Sequence, residues 1–217
     1  MSQQILDKLK KSIETLDAKL AEEASKEAVA AKIPLNTSLE ALTKGITVVS
    51  DAFDEGEMFI PHLILAGKAF EKSAEILTAG VSVEERAASS KGKVLAHTVQ
   101  GDIHSIGKNI CVILLKASGY EVYDAGVDVP VQDIVDKAEE MGADIILGSA
   151  LMTTTMPAQR DIVNLLKEKG LRDKYFVLFG GAPTSQQWVE QIGADGWSDT
   201  GPGSVRVANE YMSQKKK

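Results

Sequence analysis

Apolar residues follow two different rhythms along the chain. Before about residue 80 they recur at three- and four-residue steps, as in Leu39, Leu42, Ile46 and Val49, which is the spacing of a helix with one buried face. The pattern predicts helix over 5–31 with a break around Thr15–Asp17, over 38–53, and over 58–77 with Pro61 tolerated in the first turn. In the last of these Ile60, Leu63, Ile64, Phe70, Ala74 and Leu77 are expected on one buried face. Four helices joined by short connections predict a small bundle. After residue 93, short apolar runs alternate with amphipathic stretches. Strands are expected at 94–99, 121–127, 144–151, 176–179 and 196–198. Helices are expected at 105–117, 131–141, 157–169, 186–192 and 204–212, the first with Ile106, Ile110, Ile113, Leu114 and Ala117 on its inner face.

That alternation predicts an α/β architecture with a five-stranded, doubly wound parallel sheet of the Rossmann or flavodoxin-like kind. The expected organisation is therefore a four-helix bundle over 1–90, linker included, followed by a sheet domain over 91–217. Ala79–Lys93, with Gly80, Ser89, Ser90 and Gly92, reads as the linker. Composition sharpens the division: both Trp and all four Tyr fall after residue 91, whereas residues 1–90 hold 10 Lys/Arg against 15 Asp/Glu. Over 217 residues the chain is 44% apolar and 25% charged, which excludes disordered and collagen-like classes. A single cysteine, Cys111, excludes an intrachain disulfide and a cysteine-based zinc cluster. The formal net charge is -7, and the dense basic run Lys215–Lys217 reads as a solvated tail, so no nucleic-acid partner is expected. Apolar runs such as Val112–Leu115 are far too short to span a bilayer, and the first residues lack a signal peptide. No membrane partner and a cytoplasmic location are expected.

Open parallel sheets bind ligands beyond the carboxyl ends of their strands. Three unusual loops are expected at that edge here: Gly101–Gly107 after the first strand, Gly148–Thr155 after the third, and Gly180–Pro183 after the fourth. In the first, Asp102 and His104 flank one residue and can point the same way. A carboxylate that accepts a hydrogen bond from one ring nitrogen fixes the tautomer and raises the basicity of the other. The chain has only three histidines, His62, His97 and His104. One histidine cannot build a protein zinc site, but it suffices as the axial ligand of a metal already held by a macrocycle. An isolated Asp-x-His reads as a satisfied turn in an ordinary flavodoxin-like domain. His97 reads as structural within the first strand, His62 as exposed or capping, and Cys111 as an inert buried thiol. No phosphate-loop or dinucleotide fingerprint is present.

The motifs occur in register. Asp102-x-His104-x-x-Gly107 is followed by residues 108–148, then Ser149-x-Leu151, then residues 152–179, then Gly180-Gly181. This combination resembles the signature of base-off/His-on corrinoid-binding domains. The segment Gly56–Pro61 resembles the helical cap that precedes such domains in methyl-carrier proteins, and the run Gly148–Met156 resembles corrinoid proteins of methylamine methyltransferase systems. The resemblance covers nearly the whole chain. It implies a corrinoid such as methylcobalamin, with His104 as lower axial ligand to cobalt in place of the cofactor's own base. It implies Asp102 as hydrogen-bond partner of the distal nitrogen, with Thr155 continuing the relay. Ser149 and Thr153 would contact the nucleotide tail; Gly107, Gly180, Gly181 and Gly126 would let backbone approach it. Ile103, Ser105, Ile106 and Leu151 would complete the cofactor contacts, and Phe59 would shield the upper face of the ring. The implied function is to accept a methyl group on Co(I) from a substrate-specific methyltransferase and deliver it to a second methyltransferase acting on a thiol or pterin. A reductive reactivase is an implied third partner, and the linker an implied hinge. The alternatives within the signature are the cobalamin-binding subunit of an adenosylcobalamin-dependent mutase and a corrinoid-dependent sensor.

Overall fold

A tight turn splits the first amphipathic stretch where the sequence suggests. In the computed structural model, which describes residues 2–79 and 90–215, helix α1 (Ser2–Glu14) ends before Leu16, whose φ is +59°. Asp17 then caps α2 (Ala18–Ala30), its carboxylate accepting the N–H groups of Lys19 and Leu20. Helices α3 (Leu35–Asp54) and α4 (Ile60–Thr78) complete the bundle. Leu9, Ile13, Leu42, Val49 and Leu63 are almost wholly buried in it. Helices α1 and α3 pack closely because residue 45 is glycine. A Cβ there would lie 2.7 Å from both the Ile13 side chain and the Lys10 carbonyl. Three expectations for α4 are corrected, Ile64 being only partly buried. Ile60 is 43% exposed and Ala74 only partly buried, because Ala66, Gly67, Ala69 and Ser73 form the inner face alongside Leu63, Phe70 and Leu77. Small residues there let the helix approach its neighbours closely.

The chain divides into two compact units, Met1–Ser90 with Lys116–Gly119, and Lys91–Leu115 with Tyr120–Lys217. Most of the expected linker, residues 80–89, lies outside the described residues. The second unit alternates strand and helix: β1 (Lys93–Thr98), α5 (Ile106–Ala117), β2 (Glu121–Asp124), α6 (Val131–Met141), β3 (Ile145–Ser149), α7 (Met156–Glu168), β4 (Phe176–Gly180), α8 (Gln186–Ile192), β5 (Gly196–Ser198) and α9 (Gly201–Lys215). The five strands are all parallel, in the order β2-β1-β3-β4-β5. Strands β2 and β3 end earlier than expected, at Asp124 and Ser149, because the chain beyond them turns into loops above the sheet. Alternate side chains feed two cores. Leu95, Ile146, Val177 and Phe179 join Ile134, Ile162 and Leu166 on one face; Val94, Ala96, Ile145 and Leu178 join Val112, Leu115 and Met212 on the other. Strand order reverses between β1 and β3, so the crevice for a ligand opens above their carboxyl ends. Among the described residues no helix is long and apolar enough to cross a membrane.

His97 sits in the middle of this sheet with no solvent exposure, beside Gly148 in register on β3. A Cβ on Gly148 would meet Phe179 at 2.7 Å and His97 at 2.9 Å, so the two rings occupy the space a side chain would take. Neither ring nitrogen of His97 has a hydrogen-bond partner among the described residues. Burial disfavours the imidazolium and pushes its pKa down from 6.5 to about 4. Between those values the unfolded chain binds a proton that the folded one does not, so stability falls as the pH is lowered through this window. The expected loss is about 3 kcal/mol between pH 7 and pH 4. Urea unfolding followed by the fluorescence of Trp188 and Trp197 will measure it, and His97→Leu should remove this component. An equally steep acid loss in that variant would assign the effect to other groups.

Candidate functional site

The loop between β1 and α5 carries Asp102 and His104 above the switch point. Asp102 has no solvent exposure and occupies both carboxylate oxygens fully. Its Oδ1 accepts the His104 backbone N–H at 3.0 Å and pairs with His104 Nδ1 at 2.7 Å. Its Oδ2 accepts the Leu151 backbone N–H at 2.7 Å and the Thr155 hydroxyl at 2.8 Å. Burial opposes ionisation, but these four donors outweigh it and hold the carboxyl well below the usual carboxylate range. An ionised carboxylate only accepts hydrogen bonds. In the neutral ring Nδ1 therefore carries the proton and Nε2 the lone pair.

Two further contacts fix the histidine. The Thr98 hydroxyl, itself buried, donates to the His104 carbonyl at 2.9 Å. Thr155 stands at the N-cap of α7 yet makes no side-chain cap bond to that helix. Its hydroxyl turns instead to Asp102, with the Met152 carbonyl 2.9 Å away as a second acceptor. The His104 side chain is 47% exposed. Ile103 and Ile106, from the same loop and the helix start after it, are 73% and 68% exposed. Leu151 and Met152, 44% and 38% exposed, come from the loop after β3. Ile106 thus departs from the buried helical face on which the spacing put it. Large apolar side chains left open beside a prepared nitrogen are what an apolar ring with a metal at its centre requires. Among the described residues no group of three or more His, Cys, Asp or Glu could hold a bare ion, so the donor set suits a metal that brings its own ligands.

The remaining expected residues divide. Gly107, at the start of α5, has nothing within 4 Å of where a Cβ would stand, and neither has Gly126, whose φ is +93°. Both leave open space above the sheet. Gly180 and Gly181 have protein on that side: a Cβ would lie 2.6 Å from the Ser198 carbonyl oxygen and 1.7 Å from the Ala150 carbonyl oxygen, respectively. Their immediate physical reason is the close approach of β5 and of the chain leaving β3. Ser105 and Ser149 are half-buried, and the Ser149 carbonyl accepts the Val99 N–H at 3.0 Å. Thr153 is exposed in the loop after β3. Phe59 belongs to the helical unit, where it is the N-cap of α4 with its ring 62% exposed. His62 accepts the Phe59 backbone N–H on Nδ1 at 2.9 Å, so it caps α4. Cys111 places its Sγ 3.6 Å from the Ser204 hydroxyl, and burial pushes the thiol pKa up.

Sequence reasoning missed three residues that support the loop. Lys108, only 2% exposed, pairs with both oxygens of Asp124 at the end of β2. A lysine four residues after His104, in the first turn of a helix rich in Ile, Val and Leu, was the available signal. Thr98 and Asp128 gave none, since a threonine in a strand and an aspartate in a loop are ordinary. Asp128 accepts the Gly101 N–H on Oδ1 at 2.6 Å and donates its own N–H to the Asp102 carbonyl at 2.9 Å.

Comparison with known proteins places the chain in a family. Residues 92–205 match a family model described as a B12 binding domain, and residues 5–78 match a second B12 binding domain model. A corrinoid protein of Desulfitobacterium hafniense is 44% identical over 216 residues, covering 99% of this chain and 100% of the relative. Dimethylamine corrinoid protein 1 of Methanosarcina acetivorans is 42% identical over 174 residues, covering 80% of this chain and 81% of the relative. The crystal structure of the methanol:cobalamin methyltransferase complex from Methanosarcina barkeri includes a chain similar in fold. That chain gives a TM-score of 0.85 at 29% identity, over 98% of this chain and 81% of that one. With a B12 binding domain model matching over half its length and a corrinoid protein 44% identical over 99% of it, the chain belongs to the B12-binding corrinoid proteins.

Proposed function

We propose that this protein carries a methyl group on a bound corrinoid between two methyltransferases, and that it binds the corrinoid base-off with His104 as lower axial ligand. A bound corrinoid supplies a cobalt that takes up a methyl group from a donor and releases it to a nucleophilic acceptor. The chain supplies the rest. The observation that carries the reading is the four-donor carboxylate of Asp102, which directs His104 Nδ1 toward itself and leaves Nε2 as the ring nitrogen a metal would take. Holding the Nδ1 proton against Asp102 keeps the distal nitrogen basic and correctly aimed without further rearrangement. Ile103, Ile106, Leu151 and Met152 exclude water beneath the ring. The open space at Gly107 and Gly126 would take the displaced nucleotide tail, with Ser149 and Thr153 as its polar contacts. The donor partner is a methylamine-type methyltransferase, a reading supported by the dimethylamine corrinoid relative. The acceptor partner methylates a thiol or pterin, and a reductive reactivase restores protein whose cobalt has been oxidised.

The test is electron paramagnetic resonance of the full-length protein loaded with cob(II)alamin. Wild type should show a triplet splitting from one nitrogen that becomes a doublet when the protein alone is labelled with ¹⁵N. His104→Ala should lose the splitting. A splitting that ignores the protein label, or survives in His104→Ala, would overturn the ligand assignment.

A further inference from the structure

We propose that Asp128, in the loop between β2 and α6, is a positioning residue that holds the Asp102–His104 pair in its ligating geometry. The inference rests on His104 being the axial ligand. Asp128 adopts φ +51°, a left-handed conformation that costs a non-glycine residue energy and that Asp tolerates better than most. In that conformation it grips two consecutive residues of the histidine loop from opposite directions. Its carboxylate takes the Gly101 N–H at 2.6 Å, and its backbone N–H reaches the Asp102 carbonyl at 2.9 Å. Gly101 itself has φ +85°, so the chain enters the loop through a hinge that glycine alone leaves loose.

The gripping loop is itself anchored. The Gly126 carbonyl accepts the Thr98 N–H at 3.0 Å, Val129 donates to the Thr98 carbonyl at 3.2 Å, and Ala125 donates to the Ala96 carbonyl at 2.8 Å. Asp128 is exposed, so its side chain contributes little to the core. Nor does it cap the next helix: α6 begins from Pro130 with no side-chain cap bond. The carboxylate of an exposed, conformationally costly residue is thus spent on the one loop that presents the histidine. Without it, the Gly101 N–H loses its acceptor and this stretch keeps only the Asp102 N–H to Val99 carbonyl bond at 3.1 Å and the Asp128 N–H to Asp102 carbonyl bond at 2.9 Å, which loosens the base from which the Asp102 carboxylate orients the imidazole.

Two substitutions separate the carboxylate from the backbone. Asp128→Gly removes the acceptor while favouring the left-handed conformation; Asp128→Asn keeps an oxygen to accept the Gly101 N–H. The full-length protein is loaded with cob(II)alamin, and the ratio of nitrogen-split to unsplit signal is read. Asp128→Gly should lower that ratio about tenfold while urea midpoints stay near wild type, and Asp128→Asn should restore it. In the corrinoid-free protein the three histidines allow the His104 ring to be followed by ¹⁵N spectroscopy. The Nδ1–H tautomer should dominate in wild type and in Asp128→Asn, and should mix with the Nε2–H form in Asp128→Gly. An unchanged ratio and tautomer in Asp128→Gly would overturn the proposal. So would a ratio that falls only in step with the urea midpoint, since Asp128 would then hold the fold and not the histidine. Absence of nitrogen splitting in wild type would instead overturn the ligand reading, leaving the tautomer to decide the role of Asp128 on its own.

Discussion

Gly181→Ala should unfold the sheet unit or weaken it by more than about 4 kcal/mol. Two independent effects act at this position. The φ of +121° is one that L side chains rarely adopt, and a Cβ would lie 1.7 Å from the Ala150 carbonyl oxygen, with the Ala150 carbonyl carbon and nitrogen at 2.6 and 2.9 Å. All three are backbone atoms on the chain leaving β3, so no side-chain rotation relieves the clash. The backbone cannot simply withdraw either. Ala150 N–H donates to the Gly180 carbonyl at 3.1 Å, and the Gly181 carbonyl receives the Thr184 N–H and hydroxyl at 2.9 and 2.6 Å. Moving the two strands apart would break the Ala150–Gly180 bond and shift Leu151, which carries one of the four donors to Asp102. Urea unfolding read by Trp188 and Trp197 measures the effect. Gly107→Ala, where nothing lies within 4 Å, is the control and should stay within about 1 kcal/mol of wild type. Similar midpoints for the two variants would refute the account.

Replacing Asp102 should separate stability from ligation. Asp102→Ala leaves the Leu151 N–H, the Thr155 hydroxyl and the His104 ring and backbone donors without their acceptor. Because the site is buried at the carboxylate, the expected loss is about 2–4 kcal/mol. Asp102→Asn keeps the shape but replaces one acceptor oxygen with a donor. If the amide NH₂ faces the ring, it donates to Nδ1, the ring proton moves to Nε2, and the lone pair offered to cobalt is gone. If it faces the other way, it opposes the Leu151 N–H. Either orientation should weaken ligation by about 10- to 100-fold. The readout is the concentration of cob(II)alamin needed to develop the nitrogen-split signal, set beside the urea midpoint. An Asp102→Asn protein with wild-type ligation would show that the carboxylate does not set the tautomer.

The fold was legible because the two apolar rhythms are long and uninterrupted. The break at Thr15–Asp17 was visible in the sequence as the one polar interruption of a helical face, and helices α6 and α8 lie where their patterns end. Periodicity was furthest out at Ile60 and Ile106, which are exposed. Both are apolar residues at helix starts, where a side chain can face away from the packed side and still fit the spacing. For the site, the nearness of Asp102 and His104 could be read from their separation by one residue. The supports could not. Asp128 lies 26 residues from Asp102 in sequence, and its conformation is imposed by the loop's path between β2 and α6. The glycines looked alike in sequence, yet Gly107 and Gly126 border open space while Gly180 and Gly181 border backbone. Only the course of neighbouring chain segments distinguishes them.

The donors to Asp102 also fix when the site comes into being. Two of the four, Leu151 and Thr155, stand 49 and 53 residues further along the chain. A ribosome adding roughly 5–20 residues per second delivers them several seconds after Asp102 has been made. During that interval the Asp-x-His segment exists without the contacts that aim it. A chain that stops before residue 155 carries the whole histidine motif and lacks the hydroxyl that completes the carboxylate's set. The oriented imidazole is therefore a mark of finished synthesis through the third strand, and a truncated product cannot imitate it.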